Sequence, residues 1–256
     1  VQPIIFAAQE YIMRKILGIV FALLVAAPGF SQTTPTAKKD KKKFDLTNRA
    51  GDHFMIQVAN NSLTSLPDSI SSHLNGLNRS ANVYLMLDKP FKGNPQISAG
   101  FGLGISTSNF YFKKMLVDIS STNTKLPFQA VDSAIRFKKY KLATSYLEIP
   151  VELRYTTNPN TPNKTLKAAI GVKVGTLLNA HTKGKNLLNA SGGKLSDETV
   201  KTAAKDYFNT TRLSLTARVG YGNFSLFGAY SITNLFKDGV APPTKLLQIG
   251  LTISGL

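Results

Sequence analysis

The chain of 256 residues has no cysteine and no tryptophan, and it is poor in acids, with 14 Asp and Glu against 31 Lys and Arg. Without cysteine there is no disulfide, no thiol nucleophile and no Cys-ligated zinc or iron–sulfur centre. Beyond residue 31 no stretch reaches the roughly 18 to 20 consecutive apolar residues of a spanning helix. The acid deficit leaves a formal charge of +17. Part of it is a run, Lys38, Lys39, Lys41, Lys42 and Lys43, that reads as a solvated, disordered lead-in.

What is present begins with an export pattern. Met13-Arg14-Lys15 precedes the apolar run Ile16 to Ala27, and Gly29 and Ser31 supply small residues before Gln32. A basic start, a short apolar core and a small-residue site are the marks of a secretory signal peptide. The expected organisation is a translated leader over 1–12, a signal peptide over 13–31, a basic periplasmic lead-in over 32–51 and one β domain over 52–256. In an exported protein the positive charge points away from nucleic acid. Outer-membrane lipid and lipopolysaccharide phosphates are the expected counter-charges, with outer-membrane proteins as further partners.

The β domain announces itself in Gln96 to Thr107, which alternates without a break. Ile97, Ala99, Phe101, Leu103 and Ile105 share one face; Gln96, Ser98, Gly100, Gly102, Gly104 and Ser106 share the other. A period of two also suits a soluble sandwich or a lipocalin-like barrel. There, however, the non-apolar face meets water and carries Lys and Glu. Here that face is Gly, Ser, Thr and Gln, a poor coat for solvent and a good lining for a cramped bore. The pattern therefore predicts lipid outside and a narrow polar lumen inside.

Eight strands are predicted, near 53–60, 79–88, 96–112, 134–155, 165–180, 211–221, 224–233 and 245–254, with connectors alternately short and long. The expectation is an all-β, eight-stranded antiparallel up-and-down transmembrane β-barrel in the outer membrane, both termini periplasmic. Long connectors at 61–78, 119–133 and 181–209 are the interaction surfaces. Within the last, Ser196 as a cap, acids at Asp197 and Glu198 and lysines at Lys201 and Lys205 predict a short helix over 196–205.

Charge in the bore follows from parity. In Tyr146 to Tyr155, Leu147, Ile149, Val151 and Leu153 face one way, so Glu148, Glu152 and Arg154 point inward. Lys173, Arg212 and Arg218 join them from the next two strands. Paired carboxylates can serve acid–base catalysis, but here cations stand by to neutralise them. A structural salt-bridged network is expected, with no catalytic residue, cofactor or metal. Gly100, Gly102 and Gly104 are spaced as a strand face, not as a phosphate loop. His53, His73 and His181 are far apart, the latter two in predicted loops. Tyr84, Phe110, Tyr111, Phe112, Tyr140, Tyr146, Tyr155, Tyr221 and Tyr230 are candidates for interfacial belts or for plain strand packing. Asp68-Ser69-Ile70 and Asp132-Ser133-Ala134 resemble acceptor triplets for O-linked sugars.

The decapeptide Tyr146-Leu147-Glu148-Ile149-Pro150-Val151-Glu152-Leu153-Arg154-Tyr155 resembles the central strand of the PorT-like outer-membrane β-barrel proteins. Ala229 to Phe236 is similar to that family's penultimate strand and following loop. The resemblance spans about residues 52–256. It implies an eight-stranded barrel of a Gram-negative outer membrane, in a family whose namesake branch serves the type IX protein secretion machinery. The chain departs from many such barrels in ending at Leu256 and not at an aromatic residue. The expected function is a small non-enzymatic barrel with a plugged polar lumen, acting structurally or through its loops. A narrow channel or transporter is the alternative, and a lipid-modifying enzyme the third.

Overall fold

The computed structural model describes residues 54–131 and 136–255. The expected leader, signal peptide and lead-in, together with His53, Asp132-Ser133-Ala134 and Leu256, lie outside the described residues. Eleven strands are present: β1 (Phe54–Thr64), β2 (Asn78–Phe91), β3 (Asn94–Phe112), β4 (Met115–Val117), β5 (Phe128–Ala130), β6 (Arg136–Thr156), β7 (Leu166–Leu188), β8 (Lys194–Ala203), β9 (Thr211–Tyr221), β10 (Phe224–Ser231) and β11 (Lys245–Ser254). One short helix, α1 (Asp68–Ser71), lies between β1 and β2.

Eight of these strands close a barrel in the order β1-β2-β3-β6-β7-β9-β10-β11, with β11 returning to β1. All pairings are antiparallel, so closure leaves no free edge along the wall, as a span through hydrocarbon requires. Tight turns at 92–93 and 222–223 and the connector 157–165 mark one end, here termed the turn end. The other, the loop end, carries the connectors 65–77, 113–131, 189–210 and 232–244.

The alternation read from the sequence sets which side each residue takes. Phe101, Leu103 and Ile105 on β3, Ile149 and Leu153 on β6, Ile170 on β7, and Leu215 and Val219 on β9 stand exposed on the outer wall. Val83, Leu85, Leu87, Leu226, Ile249 and Leu251 extend the same stripe around the barrel. An apolar surface this continuous has no place in water. Facing lipid it is an ordinary transmembrane wall.

Two expectations, a helix over 196–205 and a loop position for His181, are corrected. The segment predicted as a helix over 196–205 is strand β8, paired with the upper half of β7 from His181↔Ala203 to Leu188↔Lys194. β7 runs well past the point where β9 begins, leaving its edge bare, and β8 fills that edge with the β-branched Thr199, Val200 and Thr202. Tertiary pairing overrides the capping signal. His181 consequently stands on a strand and not in a loop. Five of the nine aromatic candidates, Tyr84, Phe110, Phe112, Tyr140 and Tyr146, point inward and are buried; Tyr155, Tyr221 and Tyr230 remain on the outer wall. Phe54, Phe91 and Phe224 join Tyr155 and Tyr221 at the turn end, a position suited to an interfacial girdle.

Candidate functional site: a charged lumen beneath an apolar cap

The bore is built from rows of residues that face each other across the strands. One row runs Tyr84, Gly104, Glu148, Gly175 and Arg212 across β2, β3, β6, β7 and β9. A second runs Asp88, Gly100, Glu152, Gly171 and Thr216. Large and absent side chains alternate, so each bulky group leans over its neighbour's bare backbone. A methyl on Gly104 would lie 2.4 Å from the Tyr84 ring, and one on Gly100 would lie 2.4 Å from Arg154 Nε. At Gly100 the Arg154 side chain occupies the space of the missing Cβ; at Gly104 the Val83 backbone and the Tyr84 ring share it.

Two ion clusters fill this scaffold. In the upper one Arg212 donates to Glu148 Oε1 from Nη2 at 2.6 Å and from Nε at 3.0 Å. Tyr84 donates its hydroxyl to Glu148 Oε2 at 2.5 Å. Arg212 Nη2 also reaches Ser106 Oγ at 2.8 Å, and its guanidinium stacks 3.9 Å over the Tyr146 ring. In the lower cluster Glu152 Oε2 accepts from Arg154 Nε at 3.0 Å and from Arg218 Nη2 at 3.1 Å. Arg154 Nη1 lies 3.5 Å from Asp88 Oδ1, which also accepts from Ser98 Oγ at 2.6 Å. Lys173 joins the upper cluster, donating to Gln57 Oε1 at 2.9 Å and reaching Tyr84 Oη at 3.3 Å.

All six residues singled out from parity, Glu148, Glu152, Arg154, Lys173, Arg212 and Arg218, are buried in the lumen. They fall into these two clusters. Sequence reasoning missed Tyr84, Gln57, Asn82 and Asp88. Parity on β2 was available, since Val83, Leu85 and Leu87 face out and force Asn82, Tyr84 and Asp88 inward. Such charge burial is tolerable only because Glu148 and Glu152 each accept three hydrogen bonds from buried donors.

Above the clusters, toward the loop end, the bore turns apolar. Phe110, Phe112, Tyr140, Leu142, Leu177, Ala180 and Leu246 line the wall, and the connectors drop Ile70, Met115, Val117, Ile119, Leu126, Tyr207, Phe208, Leu235 and Phe236 among them. Hydrogen bonds lock the connectors together. Leu126 N donates to Val240 O at 2.8 Å, the Tyr207 hydroxyl reaches Ser121 O at 2.8 Å, and Asn209 Nδ2 reaches Asn234 O and Phe236 O at 2.8 Å. Phe208 and Phe236 pack with ring centroids 5.4 Å apart.

The histidines are not brought together. His73 Nδ1 contacts Lys113 O at 2.9 Å in the connector after α1, while His181 contacts Asn179 Nδ2 at 3.2 Å on the outer face of β7. Beyond the lipid-facing stripe, burial and then the charges of Lys201, Lys141 and Lys183 lower the His181 pKa. Among the described residues no three of His, Cys, Asp or Glu are grouped to hold a metal, and no helix is long and apolar enough to cross a membrane.

A family profile described as "Outer membrane protein beta-barrel domain" matches residues 30–237. Among solved structures, the chain is similar to the attachment invasion locus protein Ail of Yersinia pestis, in complex with the heparin analogue sucrose octasulfate. Identity is 14%, TM-score 0.35, covering 78% of this chain and 94% of that one. It is also similar to outer membrane phospholipase A of Escherichia coli, at 10% identity, TM-score 0.21, covering 78% of this chain and 95% of that one. No curated protein matches the chain significantly.

Proposed function

Because this chain belongs to the outer membrane protein β-barrel domain family, we propose that it is a closed, non-conducting barrel that acts through its loop end. The observation that carries this reading is the apolar cap over a charge-paired lumen. Sixteen side chains of wall and connectors, from Ile70 to Leu246, occupy the mouth above the Glu148–Arg212 pair. An ion would have to displace packed aromatics and then compete with bidentate ion pairs. Eight strands give a bore about wide enough for its own side chains.

In this reading residues 13–31 direct export and are removed, both ends of the barrel domain lie in the periplasm, and the loop end faces outward. The lumen charges hold the barrel together and catalyse nothing. His73 and His181 make separate contacts, and neither has a carboxylate partner among the described residues. The PorT-like resemblance of Tyr146 to Tyr155 supports a place beside protein secretion machinery of the outer membrane.

Planar-bilayer recording of the refolded protein tests closure. No steady ohmic current is expected, and a stable conductance would overturn the reading in favour of a channel. Orientation is tested by a thiol probe on cells carrying Lys125→Cys; labelling of intact cells is expected, and labelling only after lysis would reverse the topology. Crosslinking from the same position in the native membrane should trap neighbouring secretion proteins. Crosslinks to lipid alone would sink that part.

A further inference from the structure

Where the aliphatic stripe ends toward the loop end, the outer wall changes character within one outward position on β1 and β2. Val58 gives way to Asn60 on β1, and Ala81 gives way to Arg79 on β2. Asn109 and Tyr111 follow on β3 and Lys141 on β6. These residues are neighbours across the sheet: Asn60↔Arg79, Arg79↔Asn109, Tyr111↔Lys141. The cationic row then continues as Lys141↔Lys183↔Lys201, with Lys139↔Lys185 beside it.

The small side chain of Ala81 leaves a groove of about 550 Å³ in this wall. Its floor is Val58, Ala81 and Leu251, continuous with the lipid stripe, with Val58 55% and Leu251 58% exposed. Its upper rim is Arg79, Asn109 and Lys141. The rim is held in place: Lys141 Nζ donates to Asn109 Oδ1 at 2.6 Å, and Asn109 Nδ2 donates to Arg79 O at 3.3 Å. Among the described residues no carboxylate forms a salt bridge with Arg79, Lys141, Lys183, Lys185 or Lys201.

We infer that this groove is a binding site for a phosphorylated glycolipid of the outer leaflet, its phosphate on Arg79 and Lys141 and an acyl chain along Val58, Ala81 and Leu251. The site needs both halves. A soluble polyanion would satisfy the rim and leave the floor against hydrocarbon; an uncharged lipid would fill the floor and leave the cations unneutralised. A glycolipid headgroup places its phosphate at the depth where the aliphatic stripe stops and the arginine and lysine begin. The inference rests on the outward orientation of the loop end proposed above, because such lipids populate the outer leaflet.

Native mass spectrometry of the purified barrel in detergent tests it, with bis-phosphorylated lipid A as probe. Retained lipid A is expected on the parent protein, and binding roughly 10- to 30-fold weaker on Arg79→Ala/Lys141→Ala. The Lys89→Ala/Lys92→Ala variant loses the same charge at the turn end and should bind as the parent does. Heat-modifiable gel migration confirms that each variant is folded. Dephosphorylated lipid A should bind weakly, and inorganic phosphate or phosphatidylglycerol should not compete. Full retention by Arg79→Ala/Lys141→Ala, equal loss in the turn-end control, equal binding of dephosphorylated lipid A, or competition by either of the other two would overturn the site. The detergent assay is blind to topology, so a reversed thiol-labelling result with intact lipid A binding would fault the orientation and not the groove.

Discussion

Tyr84 and Glu148 sit on strands that do not pair, β2 and β6, and meet across the bare backbone of Gly104 on the strand between them, Oη to Oε2 at 2.5 Å. The contact ties three strands through one carboxylate. That carboxylate is also gripped by Arg212 from the opposite side, so Glu148 is the point where both halves of the wall are joined.

Tyr84→Phe removes one donor from a buried carboxylate and should cost about 1.5–3 kcal/mol of barrel stability. The measurement is the guanidinium midpoint for loss of the folded band in detergent. An unchanged midpoint would mean that Lys173, 3.3 Å from the same hydroxyl, takes over as donor.

Glu152→Gln strands two guanidiniums on one neutral amide. Loss of an anion from a buried, paired cluster costs about 3–5 kcal/mol. Arg154 keeps Asp88 at 3.5 Å, which softens the loss, so a smaller effect is expected for Glu152→Gln than for Asp88→Asn/Glu152→Gln. Denaturant titration of the two variants orders them.

Gly100→Val puts a branched side chain where Arg154 Nε already lies, 2.4 Å from the position of the first added carbon. Relief requires the Arg154 guanidinium to leave Glu152 and Asp88, its partners in the lower cluster. The variant should lose heat-modifiable migration, whereas Gly93→Ala at the turn end, where nothing stands within 4 Å, should not.

Phe208→Ala opens the cap beneath its contact with Phe236. The truncation should cost about 3–5 kcal/mol locally. Faster protease cleavage in 204–210 and 232–244 is expected while the barrel itself remains folded. If the bore is closed as proposed, bilayer recording of the same variant should stay silent, because the charge clusters lie below the cap.

Much of this architecture is legible in the residues. Alternation places Leu103 outside and Gly102 inside, and the same parity directs Glu148, Glu152, Arg154, Lys173, Arg212 and Arg218 to the opposite face from the aliphatic stripe. Strand ends were harder, since pairing beyond the lipid stripe depends on partners distant in sequence. β7 extends to Leu188 because β6 and β8 flank it there, which nothing local in Ala180 to Leu188 announces. The same partner turned a helix-like stretch, Ser196 to Lys205, into β8 over most of its length. The apolar cap was illegible for a related reason: Ile119, Leu126, Phe208 and Phe236 lie in connectors with no period, and only the fold brings them together. The outer-wall groove depends on Arg79 and Lys141, 62 positions apart, being joined through Asn109.

The spacing of large and missing side chains along the bore has a consequence for how the wall is threaded. An aliphatic stripe repeats every second position, so it cannot tell a correct hairpin from one displaced by two. The interior can. Sliding β6 by two against β7 moves Glu148 or Glu152 from its glycine, Gly175 or Gly171, to face Lys173, which now sits opposite Pro150. Two long polar chains would then compete for the volume of one, and an arginine would lose its acid. Misthreaded barrels are thereby rejected by volume and charge at the same few positions.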